Sequence, residues 1–261
     1  MSQPTNDERP GPAAARAVLE IRDVAVHFGG VKAVDGVSMT LSEGGIAGIL
    51  GPNGSGKSTL VGAITRHVPL TRGELVFLGA SYVRDHPHAV PHRGIARTFQ
   101  TVRLLEDRTV RDNVLLGTDT LAGRGRAARR AAEERVEQAM ERTGISGMEK
   151  VRPDELSYGV RRRVEIARAI VMEPKLLLLD EPTAGMNRAE REEIARLMHE
   201  LRGEGLTQLL IEHDVQMMVD TCDHLFAMNF GKLIVEGTPQ DVVRHPAVQE
   251  AYLGKRAAHH A

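Results

Sequence analysis

Residues 51–58 read GPNGSGKS, and they lie between a short apolar segment at residues 45–50 and a helix-like segment at residues 58–68. Gly51, Gly56, Lys57 and Ser58 match the fixed positions of the pattern G-x-x-x-x-G-K-[ST], which forms a phosphate-binding loop when a strand precedes it and a helix follows it. Both flanks meet that condition, since GIAGIL predicts a buried strand and STLVGAITRHV predicts a helix that ends before Pro69. This stretch constrains the fold most, because strands that alternate with helices form a parallel sheet.

The glycine-rich loop predicts a nucleotide site. Backbone N–H groups of residues 53–58 are expected to converge on a β-phosphate at the N-terminus of the helix, where the helix dipole favours an anion. Lys57 supplies a positive charge for the β- and γ-phosphate oxygens, and the Ser58 hydroxyl is a ligand for Mg²⁺. The nucleotide-contacting residues predicted in this stretch are Gly51, Pro52, Asn53, Gly54, Ser55, Gly56, Lys57, Ser58 and Thr59.

Two carboxylates follow another apolar run. KLLLLDEP at residues 175–182 predicts a parallel strand buried on both faces, which delivers Asp180 and Glu181 to the carboxyl edge of the sheet. Because adjacent strand residues point in opposite directions, we expect Asp180 to hold Mg²⁺ through water and Glu181 to address the attacking water. TQLLIEH at residues 207–213 predicts a neighbouring strand. His213 at its end is expected to contact a γ-phosphate, the alternative being a buried structural histidine.

The remaining segments predict an α/β protein, in which a P-loop NTPase core with a mostly parallel sheet carries two additions. Residues 18–28 and 34–42 have the β-branched side chains and turns of an N-terminal antiparallel β layer. Residues 102–165 are predicted to form a helical subdomain. We expect residues 17–254 to form a single domain.

Composition limits the classes of partner. With a net charge of −1, 3% aromatic residues and no Trp, the chain is not expected to bind nucleic acid. No window approaches the ~18 apolar residues of a membrane span, and the single cysteine, Cys222, suits a reducing compartment. Residues 1–16 are expected to be a disordered leader rather than a secretion signal, and residues 255–261 a tail. A cytosolic location is therefore expected, unless a membrane partner holds the chain.

A further motif, LSYG at residues 156–159, lies between the phosphate loop and the carboxylates. In this order the motifs resemble those of the nucleotide-binding subunit of an ABC transporter, from about Val18 to Gly254. The resemblance implies an ATPase that uses ATP and Mg²⁺. LSYG corresponds to the signature motif of that family. The resemblance also implies pairing with a second, identical or related ATPase subunit, since each ATP site would combine the phosphate loop of one subunit with the signature motif of the other.

The resemblance assigns roles to residues outside the loop. Phe28 is similar to the aromatic residue that stacks on adenine, and Gln100 in RTFQ is similar to the glutamine that contacts Mg²⁺ and links to the membrane subunits. Glu181 resembles the general base and His213 the switch histidine. The implied catalytic residues are Lys57, Gln100, Glu181 and His213, and the implied metal residues are Ser58, Gln100 and Asp180.

The signature motif predicts a helix whose start faces an anion. Ser157 is a strong N-cap residue, and apolar residues recur after it at helical spacing, so a capped amphipathic helix is the simplest interpretation. In the family, Ser157 and Gly159 would bind the γ-phosphate of ATP held by the opposite subunit. The usual motif is LSGGQ, and here Tyr158 and Val160 replace a glycine and the glutamine. We expect γ-phosphate binding to be retained through Ser157 and the helix N-terminus, whereas Val160 removes a side chain that could hydrogen-bond the nucleotide.

The segment TAGMN at residues 183–187 resembles the D-loop, with Asn187 in place of the common aspartate. This replacement is expected to change communication between the two sites. Asn187 and Glu190 predict a capping box at the start of a helix, in which Ile194, Leu197, Met198 and Leu201 form a core stripe.

The sequences of several loops narrow the resemblance to one subgroup of the family. The chain looks most like the ATP-binding subunits of branched-chain amino-acid importers in the segment HFGGVKAVDGVS, in residues 99–117 and in the ending VQEAYLG. The ATPases of urea or amide importers and of lipopolysaccharide exporters share part of this resemblance. The implied partners are transmembrane permease subunits, docked around residues 100–111 with Leu104 and Leu105 in contact, and indirectly a solute-binding protein. The implied location is the cytoplasmic face of the membrane.

Two other classes compete with a transporter subunit. A soluble ABC-type ATPase acting on ribosomes or DNA is one, although such proteins generally carry two cassettes or long coiled-coil insertions. A small-molecule kinase shares the phosphate loop but needs neither LSYG nor His213. A metal site at His86, His88 and His92 is also conceivable, but Pro87 and Pro91 make that loop irregular and no cysteine accompanies it.

Overall fold

The computed structural model describes residues 16–120, 123 and 125–258, so most of the predicted leader and the end of the predicted tail lie outside it. The strands are β1 (Ala17–Phe28), β2 (Val31–Ser42), β3 (Ile46–Leu50), β4 (Arg72–Phe77), β5 (Ala80–Ser81), β6 (Ile95–Arg97), β7 (Leu176–Asp180), β8 (Thr207–Ile211), β9 (His224–Asn229) and β10 (Lys232–Gly237). The helices are α1 (Lys57–Ile64), α2 (Val110–Leu115), α3 (Arg126–Arg142), α4 (Tyr158–Ile170), α5 (Arg188–Gly203), α6 (Val215–Thr221), α7 (Pro239–Arg244) and α8 (Pro246–Ala258).

The strands form two sheets, as the α/β prediction requires. The N-terminal sheet is antiparallel, with the order β2-β1-β4-β5. The second sheet has the order β10-β9-β3-β8-β7-β6, and only its edge strand β10 runs antiparallel to its neighbour. The predicted fold class is therefore confirmed, with a mostly parallel core and an antiparallel layer.

The central strands are buried along their whole length. Every residue of β7 (LLLLD) and β8 (TQLLI) is buried, which is why neither sequence alternates between apolar and polar residues. The phosphate loop follows β3, which pairs with β8 on one side and β9 on the other. In the middle of β3, Gly48 lets Cys222 and Leu225 approach, since an added methyl group would lie 2.8 Å and 2.5 Å from their side chains.

Capping side chains begin the helices that flank the site. At α5, Asn187 accepts from Glu190 N at 3.0 Å, and the Glu190 carboxylate accepts from Asn187 N, so the predicted capping box is confirmed. The predicted core stripe of α5 is buried. At α4, the Ser157 hydroxyl accepts from Val160 N, as an N-cap should. Both helices thus start at the residues expected from the sequence.

Several elements differ from the sequence-based expectation. The helix after the phosphate loop ends at Ile64 rather than near Val68, because Arg66 adopts a positive φ of 60° and the N–H groups of Arg66 and Val68 turn back to Ala63 O and Gly62 O. Strands β5 and β6 and helices α6 to α8 were not predicted, and α8 extends into the predicted tail. None of the helices in the described residues combines the length and the apolar character needed to cross a membrane.

Candidate active site

The phosphate loop is shaped by glycines that cannot be replaced without a clash. Gly56 precedes α1 with a left-handed φ of 103°, and a methyl group there would lie 2.3 Å from the Ala33 carbonyl oxygen. A methyl group at Gly51 would lie 2.4 Å from the Met228 carbonyl oxygen. The loop therefore packs directly on the backbones of β2 and β9, with no room for a side chain at either glycine.

Lys57 is held inside this loop. Its ammonium group is largely buried and donates to the carbonyl oxygens of Gly51 at 2.6 Å and Pro52 at 3.1 Å. These contacts anchor a positive charge at the N-terminus of α1, where the helix dipole also favours an anion. Phosphate binding at this position would need no long-range movement of the lysine.

The turn between β9 and β10 is hydrogen-bonded to the phosphate loop. Gly231 N donates to Ser55 O at 3.0 Å, and Asp35 N donates to Gly231 O at 2.8 Å. The preceding residue, Phe230, has a positive φ of 45° and a side chain that is 83% exposed. An aromatic ring is thus displayed beside the phosphate loop by a turn that is hydrogen-bonded to it.

A cleft of about 690 Å³ opens in front of the loop. It unites residues from β2, the phosphate loop, α1 and the ends of the central strands. Its lining consists of Val31, Lys32, Ala33, Asn53, Gly54, Gly56, Lys57, Ser58, Thr59, Gln100, Glu181, His213 and Phe230. The four residues implied as catalytic therefore share one cavity with the phosphate loop.

The candidate base is already oriented by a neighbour. Gln100 Nε2 donates to Glu181 Oε2 at 2.8 Å. His213 Nδ1 lies 3.9 Å from the same Glu181 oxygen and 3.7 Å from Glu212 Oε2, on a side chain that is mostly exposed. Glu181 itself adopts a positive φ of 46°, which is uncommon for a residue other than glycine and is typical of functional positions.

Asp180 has a different environment from the one expected. Its carboxylate is buried and accepts from Arg97 Nη2 at 2.8 Å, and Arg97 Nη1 donates to Thr65 Oγ1 at 3.2 Å. Asp180 is not among the residues that line the cleft. Glu181 lines the cleft whereas Asp180 is held in an ion pair, and the role of Asp180 towards Mg²⁺ stays a prediction.

The signature motif lies apart from this cleft. Neither Ser157 nor Gly159 is among the lining residues. Gly159 is buried, and a methyl group there would lie 3.0 Å from the Glu190 carboxylate, so the start of α4 packs against the start of α5. Three residues of the phosphate loop also do not line the cleft: Gly51, Pro52 and Ser55. The carbonyl oxygens of Gly51 and Pro52 instead accept hydrogen bonds from Lys57.

The stacking of Phe28 on adenine, which the family resemblance implies, stays a prediction. Phe28 ends β1 and is 53% exposed, but Val31, its partner in the β1–β2 pairing, lines the cleft instead. Sequence reasoning missed Lys32, Ala33 and Phe230. The NFGK turn at residues 229–232 offered one signal, since glycine after an aromatic residue between two strands predicts a tight turn.

The histidine-rich connection after β5 forms two short 3-10 turns, at Pro87–Ala89 and Pro91–Arg93. The rings of His86 and His88 stack with their centroids 5.6 Å apart. Within the described residues, no group of three or more His, Cys, Asp or Glu side chains is placed to hold a metal ion. The geometry here gives no support to the alternative of a histidine metal site.

Known proteins resemble the chain along nearly its whole length. The family described as "ABC transporter" matches residues 34–184, and the family described as "Branched-chain amino acid ATP-binding cassette transporter" matches residues 232–258. The chain is 36% identical over 254 residues to the high-affinity branched-chain amino acid transport ATP-binding protein BraF of Pseudomonas aeruginosa, which covers 92% of this chain and 99% of BraF. It is 35% identical over 254 residues to LivG of Escherichia coli, with the same two shares.

A solved structure gives the same result for the fold. The ADP conformation of MJ1267, described as an ATP-binding cassette of an ABC transporter, superposes with a TM-score of 0.83 at 32% sequence identity. The match covers 91% of this chain and 99% of MJ1267.

Proposed function

The chain belongs to the ABC transporter family, and we propose that it is the ATP-hydrolysing subunit of an importer that takes up branched-chain or other amino acids through partner membrane subunits. BraF and LivG are both named as branched-chain amino acid transport ATP-binding proteins. The match of residues 232–258 supports the same subgroup from a segment outside the ABC transporter match.

The observation that carries this proposal is the shared cleft. Lys57, Gln100, Glu181 and His213 come from four separate segments and meet in front of one phosphate loop. A lysine that binds the phosphates and a side chain that orients the attacking water are recurring parts of sites that transfer a phosphoryl group, and Lys57 and Glu181 are placed for these two roles.

In the proposed reaction, a water oxygen attacks the γ-phosphorus of ATP and the Glu181 carboxylate accepts the proton of that water. The bond between the γ-phosphorus and the ADP oxygen breaks, and the products are ADP and phosphate. Lys57 and His213 stabilise the negative charge on the γ-phosphoryl oxygens. The hydrogen bond from Gln100 supports the role of Glu181, because it limits the carboxylate to one orientation.

Mg²⁺ fits part of the set of residues assigned to it. The Ser58 hydroxyl and the Gln100 amide both line the cleft and are oxygen donors of the kind that Mg²⁺ prefers. When bound, the ion would neutralise charge on the phosphates. Asp180 would take part only if its buried carboxylate were shared with Arg97.

We further propose that two chains, or this chain and a related one, enclose two ATP molecules. Ser157 caps a 13-residue helix whose first N–H groups favour an anion. Ser157 and Gly159 do not line the cleft of their own chain, which supports the role that the family resemblance implies for them, binding the γ-phosphate of ATP held by the opposite subunit.

The proposed permease contact lies at residues 100–111. Leu105 is 45% exposed there, whereas Leu104 is buried in the core, so only Leu105 suits a docking contact and the expectation for Leu104 is revised. The adjoining groove includes Phe99, Arg103 and Arg168, and its charge suits an acidic or amphipathic segment of a membrane subunit. Such a contact would hold the chain at the cytoplasmic face of the membrane.

Two measurements test the proposal. ATP hydrolysis should depend on protein concentration and should be lost when Lys57 is changed to Ala. Purification from the native membrane should recover permease subunits, and vesicles that contain the complex and its solute-binding protein should accumulate leucine, isoleucine or valine on addition of ATP. A complex that transports none of these amino acids would contradict the substrate class.

A further inference from the structure

Helix α4 carries three consecutive arginines with different environments. Arg161 pairs with Glu106, and Arg163 pairs with Glu193, in both cases with a partly exposed side chain. Arg162 between them is 0% exposed, and it is one of the largest fully buried side chains of the described residues. A charge is buried at such a position only when other groups satisfy it.

The two Nη groups of Arg162 bond to the backbone of the segment that carries Gln100. Its Nη1 donates to Phe99 O at 2.6 Å, and its Nη2 donates to Gln100 O at 2.8 Å. The same Nη2 lies 3.5 Å from Glu181 O. One guanidinium therefore touches the backbone of both residues whose side chains form the Gln100–Glu181 hydrogen bond.

Glu165, one turn further along α4, bonds to the same segment. Its Oε1 accepts from Phe99 N at 3.2 Å, and its Oε2 pairs with Arg162 Nη1 at 2.5 Å. Both side chains of this ion pair are almost completely buried. Replacing such a pair by apolar residues is often neutral for stability, so the pair calls for a role other than stability.

Tyr158 connects this cluster to the signature motif and to the D-loop. Its hydroxyl lies 3.4 Å from Arg162 Nη2, and the guanidinium carbon lies 6.0 Å from the centre of its ring. On its other side, Tyr158 Cε1 is 4.0 Å from the place where a side chain at Gly185 would begin. Tyr158, which replaces a glycine of the usual signature motif, thus lies next to both Arg162 and the D-loop.

We propose that Arg162 is a positioning residue that couples the two ATP sites of the dimer, an inference that rests on the proposed function. The N-terminus of α4 would meet the nucleotide of the opposite subunit, while Arg162 on the same helix holds the backbone of Gln100 and Glu181 in its own site. When α4 moves to engage the partner's nucleotide, the Gln100–Glu181 pair moves with it. Hydrolysis in each site then depends on occupation of the other, and ATP acts cooperatively.

Arg162→Lys is the first test variant. It keeps the charge opposite Glu165, so it avoids an uncompensated buried carboxylate, but an ammonium lacks the planar fork that reaches two carbonyl oxygens together. Arg162→Gln combined with Glu165→Gln is the second, because it removes both buried charges at once. Arg161→Gln is the matched control on the exposed side of the same helix.

The measurements are the Hill coefficient for ATP in hydrolysis by the full chain and the affinity of each variant for ADP. With two coupled sites, the wild-type coefficient should approach about 2. We expect the Hill coefficient to fall to about 1 in both test variants, together with a lower maximal rate, and to stay unchanged in Arg161→Gln. ADP affinity should stay within about twofold in all variants, since the phosphate loop is not touched.

Three results would overturn the coupling. The first is that the test variants keep the wild-type Hill coefficient and rate. The second is that they lose ADP affinity together with cooperativity, which would make the role of Arg162 merely structural. The third is that the wild-type chain hydrolyses ATP with a Hill coefficient of 1. The last result would leave the proposed function standing. A wild-type chain without any ATP hydrolysis would contradict the proposed function itself.

Discussion

The amide of Gln100 donates a hydrogen bond of 2.8 Å to the carboxylate of Glu181, across 81 residues of sequence. The carboxylate belongs to a residue with a positive φ at the end of a fully buried strand, so its backbone cannot rotate freely. The side chain implied as the base is therefore positioned from two directions, by its own strand and by the segment that follows β6.

Glu181→Gln is expected to slow hydrolysis by about 10²–10⁴-fold, the usual loss when a positioned base is removed. ATP binding should persist, because Lys57 and the loop N–H groups are unchanged, and the variant should accumulate as a closed, ATP-bound pair. Single-turnover hydrolysis and sedimentation with ATP measure the two effects. Hydrolysis at the wild-type rate would exclude Glu181 as the base.

Gly56→Ala is expected to abolish nucleotide binding. The left-handed φ of 103° costs an alanine about 1–2 kcal/mol, and its methyl group would in addition meet the Ala33 carbonyl oxygen at 2.3 Å. Titration with a fluorescent ADP analogue and thermal unfolding measure both consequences. Gly30→Ala is the matched control, because Gly30 has open space around it and no positive φ. Equal behaviour of the two variants would refute the argument.

Arg97→Met is expected to lower the free energy of unfolding by about 3–5 kcal/mol, because it leaves the buried Asp180 carboxylate without its partner. Chemical denaturation measures this change. Arg188→Met, which removes the exposed pair with Glu192 on α5, should cause no resolvable change. A small effect of Arg97→Met would mean that Asp180 is solvated or bound elsewhere, as its expected role towards Mg²⁺ would require.

Cys222 should resist alkylation in the folded chain. Burial, aided by the nearby Asp223, raises the pKa of the Cys222 thiol from 9.0 to about 12, so almost no thiolate exists at pH 8. The unfolded thiol ionises first as pH rises, so the contribution of this group to stability is complete below pH 9 and is lost between pH 9 and 12. Mass spectrometry after iodoacetamide treatment, with and without denaturant, checks the protection. Rapid labelling of the native chain would contradict it.

Leu105→Glu is expected to lower transport by about tenfold or more while basal ATP hydrolysis is kept, a loss of ~1.4 kcal/mol or more in docking. The reason is that Leu105 is exposed and lies outside the cleft, whereas a charge there opposes an apolar contact. Uptake by vesicles and ATPase activity of the isolated chain are compared. Equal loss of both activities would place Leu105 in the fold rather than in a docking surface.

Local patterns in the sequence were enough to locate most of the cleft. The phosphate loop, the buried strand before Glu181 and the polar end of the strand before His213 each carry their signal within a few residues, and the parallel sheet brings them together. The capping box at Asn187 was equally local. These features were predictable because each depends on the residues next to it.

Features that depend on distant partners were not predictable. Arg162 cannot be told from Arg161 or Arg163 by sequence, since its burial depends on the carbonyl oxygens of residues 99 and 100. The ion pair of Asp180 depends in the same way on a strand, β6, that is too short to show a pattern. Phe230 enters the cleft only because its turn is hydrogen-bonded to the phosphate loop.

The placement of β3 between β8 and β9 has a consequence for biosynthesis. The phosphate loop is translated within the first quarter of the chain, but both strands that support β3, and the Met228 carbonyl on which Gly51 rests, are made after residue 206. A nascent chain on the ribosome therefore carries an unsupported loop until most of its length has emerged. A fragment that ends with the ABC transporter match at residue 184 would lack both neighbours of its central strand and would leave β3 with two unpaired edges.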